Sequence, residues 1–127
     1  MDNTPENILQ QEILRERAEV LGRAGASVDR ALERLRRLAS SIEGRCRALE
    51  GMGDRSPFPS DSLHRTSRSA IVAEINREIS AYNQLREYAR LRYHYLIITR
   101  EALGLRRHHR VEELYAIPPK KNAIQES

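Results

Sequence analysis

Leu14, Leu21, Val28, Leu35, Ile42 and Leu49 stand seven residues apart without a gap. An apolar repeat of seven sustained this long fits a long α-helix, since a half-buried strand alternates with a period of two. The companion seam position holds Gln11, Ala18, Gly25, Leu32, Ala39 and Cys46, mostly small side chains that let a partner helix come close. Thr4-Pro5-Glu6 supplies a start: a hydroxyl for a free backbone N–H, a proline at the first helical position and an acid at the positive end of the dipole. The pattern predicts a first helix over 5–50. Glu19/Arg23, Glu33/Arg37 and Glu43/Arg47 are acid-first pairs four apart on its outer face. Gly22, Gly25 and Gly44 oppose a continuous helix, and Gly22–Gly25 is the expected place for a kink or break.

Ile75, Tyr82, Ala89, Leu96 and Leu103 form a second heptad series, flanked by Ile71, Val72, Ile79, Leu85, Tyr93 and Ile97. They predict a helix over 66–103, ended by Gly104 in a left-handed position with apolar Leu105 after it. Between the two helices, Gly51-Met52-Gly53 and Pro57-Phe58-Pro59 predict a loop over 51–62, with Phe58 tacking it onto the helix ends. Pairing the two series antiparallel places the centre of the turn at 58–59, inside that loop. Val111, Leu114 and Tyr115 suggest a short third helix over 107–116. Pro118-Pro119-Lys120-Lys121 stops it, and 118–127 reads as a flexible C-terminal tail.

The chain of 127 residues is therefore expected to be all-α: one domain over 1–117, built as a long antiparallel helical hairpin of two long helices plus a short C-terminal one. Two helices that each bury one stripe make a thin core. The second helix carries more apolar surface than one seam uses, so a second face is expected to meet another copy in a dimeric four-helix bundle. Val72, Ile79, Tyr93, Ile97 and Ile98 are the residues expected to form that self-association or partner surface.

The formal charge is +4, with the excess spread along the chain. The densest cationic region joins Tyr88–Tyr95 to Arg100, Arg106, Arg107, His108, His109 and Arg110. Arginine grips phosphate in two places and tyrosine stacks on bases, so Arg106, Arg107 and Arg110 are candidate anion-binding residues, and nucleic-acid or polyanion binding is the alternative function. An Arg-rich solvated face over a Tyr-containing core accounts for the same residues without any recognised nucleic-acid motif, and is the reading adopted.

Catalytic and metal chemistry find little support. His108 and His109 stand three to five residues before Glu112 and Glu113, but the Glu-x-x-His unit of helical di-iron sites occurs nowhere, so no metal is expected. Glu74 and Glu78 share a helix face without an obvious cleft, and Glu78 and Arg92 read as polar contacts that fix register. Cys46 lies on the seam, as a small core residue would. Phosphate loops, Cys-x-x-Cys pairs and nucleophile elbows are missing, so neither a catalytic residue nor a cofactor is expected.

A lone cysteine suits a reducing compartment. Unbroken apolar runs such as Tyr95-Leu96-Ile97-Ile98 fall far short of the roughly 20 residues a membrane span needs, and acidic Asp2 and Glu6 do not resemble a secretory leader. The expectation is a cytoplasmic, non-enzymatic interaction module of adaptor, chaperone-like or regulatory type. It self-associates, binds an unidentified protein partner and does not enter membranes.

Overall fold

The computed structural model describes residues 4–52 and 61–125, without the side chains of 61–66. Its elements are α1 (Pro5–Gly51), α2 (Asp61–Ala102) and α3 (His109–Leu114), and the described residues contain no strand. Residues 53–60, which hold the expected turn centre at 58–59 and Phe58, lie outside the described residues. Asp61 and Ser62 belong to α2, so that helix starts five residues earlier than expected.

Both long helices begin or end as their local chemistry dictates. The Asn7 N–H donates to Thr4 Oγ1 (3.3 Å), which caps α1 with Pro5 at its first position. After α2, Gly104 takes φ +88°. The Leu105 N–H donates to Arg100 O (2.9 Å) and the Gly104 N–H to Glu101 O (3.0 Å), the paired bonds of a Schellman stop. The third helix is shorter than its apolar residues suggest. His108 sits at φ −113°, ψ 8°, outside the helical well, and the Arg107 carbonyl turns back to accept from Arg100 Nη2 (2.9 Å).

Gly22–Gly25 does not break α1, which runs without interruption to Gly51. A Cβ on Gly25 would stand 3.2 Å from the Tyr115 hydroxyl, so the missing side chain makes room for the residue that follows α3. Gly22 has open space around it. Gly22→Ala is therefore expected to add about 1 kcal/mol of stability through helix propensity alone, read as a higher midpoint in urea denaturation.

Contacts divide the chain into two compact units. One comprises Met1–Leu32 with Tyr88–Ile117, the other Glu33–Glu87 with Pro118–Ser127. In the first, Val28, Ala31, Leu32, Ala89, Leu96 and Val111 are buried. In the second, the buried set is Leu35, Ile42, Val72, Ile75, Ile79 and Tyr82. There α1 and α2 run antiparallel: Ser41 and Arg45 reach Glu78, and Arg68 Nη1 donates to Leu49 O. The heptad series thus supplies the cores from Val28 onward on α1 and from Ile75 to Leu96 on α2. It fails at its start, where Leu14 is 63% exposed and every residue from Ile8 to Val20 faces solvent. Residues 118–125, expected to form a flexible tail, make main-chain hydrogen bonds to α2 within the second unit.

Candidate interaction surface

Large exposed apolar side chains gather in the first unit. On α2 they are Tyr88, Leu91, Tyr95 and Ile98, followed by Leu105 just past the helix end. The spacing of three, four and three within α2 is the a/d pattern of a coiled-coil seam, on a different face from buried Ala89 and Leu96. Arg92 braces the row. Its Nε donates to Tyr88 Oη (3.0 Å), and its guanidinium lies 5.2 Å from the Tyr88 ring centre and 6.0 Å from that of Tyr95. The hydrogen bond from Arg92 also holds the Tyr88 hydroxyl below the usual tyrosine pKa. On α1, Leu9, Ile13 and Val20 recur on one face, with Ile8 and Leu14 beside them, all exposed.

Tyr93 and Tyr115 serve the inside of the same unit. Burial raises the pKa of both, with Glu112 adding to the effect at Tyr93 and Asp29 at Tyr115. The Tyr115 hydroxyl lies against Gly25, which brings the residue after α3 onto α1.

The five residues expected to face a partner separate in the structure. Val72 and Ile79 are 6% and 5% exposed and belong to the core of the second unit. The reason is positional: each stands three residues before Ile75 or Tyr82 and supplies the second seam residue of its heptad. Tyr93 and Ile97 are half-buried in the first unit. Ile98 alone is exposed, and it lies in the row with Leu91 and Tyr95. Sequence reasoning missed Tyr88, Leu91, Tyr95 and Leu105 as a set. Their signal is a second heptad register offset from the first, obscured by the arginines between them.

Arg106, Arg107 and Arg110 are exposed, and among the described residues none has an ion-pair partner. Compared with known protein families, curated proteins and solved structures, the chain matches none.

The other polar clusters make internal contacts. His108, outside α3, meets Glu101 rather than Glu112: Nδ1 accepts from Arg100 Nε (3.3 Å), which leaves Nε2 to donate to Glu101 Oε1 (3.1 Å). His109 pairs with Glu113 at 3.0 Å on the open surface. Among the described residues no three His, Cys, Asp or Glu side chains converge as metal ligands would. Glu74 hydrogen-bonds Arg77 (2.6 Å), which keeps its carboxyl below the usual pKa. Glu78 takes Arg45 Nε (2.6 Å) and the Ser41 hydroxyl (3.2 Å), a structural bridge between α1 and α2. Cys46 is a free, half-buried thiol.

Proposed function

We propose that the chain is a non-enzymatic helical module, working in the cytoplasm, that self-associates as a dimeric four-helix bundle and binds a protein partner. The observation that carries this reading is the exposed seam of Tyr88, Leu91, Tyr95 and Ile98 on α2, with exposed Leu105 just past the helix end. At the helical rise, the helical part of the stripe, from Tyr88 to Ile98, extends about 15 Å, and an apolar stripe at coiled-coil spacing supports a helix from a second molecule. The exposed α1 arm argues the same way: Leu9, Ile13 and Val20 leave an apolar stripe in water that a second helix would cover. No described helix is long and apolar enough to cross a membrane.

Light scattering coupled to gel filtration at micromolar concentration tests the reading. The wild-type mass is expected to be twice that of one chain. Leu91→Glu with Ile98→Glu places charges on the seam and should weaken the dimer about 100-fold, giving single-chain mass with unchanged helical circular dichroism. A wild-type mass of one chain overturns self-association. A dimer that survives both substitutions moves it to another face.

A second reading, nucleic-acid or polyanion binding, draws on the unpaired Arg106, Arg107 and Arg110. It requires a raised 260 nm absorbance that co-elutes with the protein and disappears in high salt. A protein-like absorbance ratio at low salt removes it.

A further inference from the structure

Residues 118–125 follow α2 in the second unit and are held there mainly by their own main chain. Asn83 Nδ2 donates to Lys121 O (2.9 Å) while the Lys121 N–H donates to Asn83 Oδ1 (2.9 Å). Asn76 repeats the arrangement with Ile124, at 3.0 and 2.9 Å. Arg86 Nε donates to Pro118 O (2.6 Å). A side-chain amide offers a donor and an acceptor as a peptide group does, so each asparagine pairs with whichever residue presents its main chain there. The two repeats match. Three residues of extended chain reach about 10 Å, and the seven helical residues from Asn76 to Asn83 rise about 10.5 Å.

Side chains add a smaller set of contacts. The Lys121 ammonium lies 5.0 Å from the centre of the Tyr82 ring, and Lys120 Nζ is 3.8 Å from Glu87. Between the segment and α2 lies an open cavity of about 390 Å³, whose walls include Ile79, Ser80 and Gln84 on α2 and Ala123 on the segment. The single methyl group of Ala123 leaves most of that space unfilled.

We infer that the row Asn76–Asn83–Arg86 is a binding site for an extended peptide in trans, with residues 118–125 as its resident occupant, and that the preferred ligand has a bulky apolar side chain where this chain has Ala123. Three observations support it. The clamps read main-chain atoms, so they accept other sequences. Their spacing selects an extended backbone. The cavity gives an incoming peptide a contact that the resident segment lacks, and with it a way to overcome the millimolar effective concentration of a tethered competitor. This site is built within the second unit and rests on no part of the self-association surface.

Lys120 and Lys121 are the only lysines in the chain, so a protease specific for lysine reports on this segment alone. Such a protease needs a free extended strand, and its rate follows the fraction of time the segment is released. In the full-length protein, Asn76→Ala with Asn83→Ala is expected to raise the cleavage rate about tenfold or more, because both paired clamps are lost. Ile124→Pro removes the N–H that Asn76 accepts without touching either helix. It should also accelerate cleavage, and it keeps the test decisive if the asparagine variants misfold.

Competition then tests binding in trans. A synthetic peptide of residues 116–127 carrying Lys120→Arg and Lys121→Arg resists the protease. At millimolar concentration it should speed cleavage of the wild-type protein. The same peptide with Ala123→Leu should do so at about tenfold lower concentration, and one with Lys121→Pro and Ile124→Pro should have no effect. Equal rates for wild type, Ile124→Pro and the asparagine variants overturn the clamp. Clamped wild type that no peptide accelerates overturns binding in trans. Equal potency of the peptides with and without the Ala123→Leu change overturns the role of the cavity.

Discussion

Leu35→Ala is expected to cost about 3 kcal/mol of folding stability, while Leu14→Ala costs the single chain almost nothing. The two leucines hold the same place in one heptad series, so pattern alone treats them alike. Their surroundings differ: Leu35 is 1% exposed in the core of the second unit and Leu14 is 63% exposed. Truncating Leu35 removes three buried carbon atoms and leaves a cavity between α1 and α2 that the backbone only partly closes. Truncating Leu14 removes atoms already in water. Urea denaturation followed by circular dichroism at low protein concentration separates the cases. Equal losses would show that residues 8–20 are packed within the single chain. A Leu14→Ala loss that grows with protein concentration would place the α1 arm in the dimer interface, because only an assembled state can then be burying it.

Periodicity makes the elements legible because it reports where a residue points around its helix. The caps are legible too, since Thr4 and Gly104 act through local backbone chemistry that neighbouring residues specify. What periodicity lacks is the allocation of faces. The second helix carries two apolar heptad registers, one through Ile75, Tyr82 and Leu96 and one through Leu91 and Ile98, and their spacing is identical. Val72 and Ile79 point outward only if the core takes one position per heptad; an antiparallel pair uses two. The segment after Ile117 is illegible for a different reason. Its attachment depends on main-chain atoms meeting two asparagines 38 and 48 residues earlier, and no apolar pattern records such a bond. The use of Gly25 is likewise hidden, because the Tyr115 hydroxyl that takes the place of its missing side chain comes from far along the chain.

Arg45→Ala is expected to destabilise the second unit by about 2 kcal/mol, and Arg45→Ala with Glu78→Met to recover most of that loss. The Glu78 side chain is only 13% exposed. One oxygen takes both Arg45 and Ser41, and among the described residues the other is buried without a hydrogen-bond partner. Removing Arg45 leaves that carboxylate with a single hydroxyl for compensation. Since the Arg45 side chain is 44% exposed, water takes up part of the loss, which sets the figure below that of a fully buried pair. Methionine is unbranched, close to glutamate in length and carries no charge to desolvate, so the double variant removes the penalty at its source. A loss under about 0.5 kcal/mol for Arg45→Ala, measured by urea denaturation, would mean the pair is solvated and contributes little. The double variant has a second expected consequence. A heptad core tolerates sliding one helix past the other by seven residues, whereas Arg45 meets Glu78 in one alignment only. With both groups gone, α1 and α2 should populate more than one register, visible as doubled backbone amide resonances for residues near 45 and 78. Single resonances at restored stability would assign the register to core shape instead, with Leu35 and Ile75, 1% and 0% exposed, as its determinants.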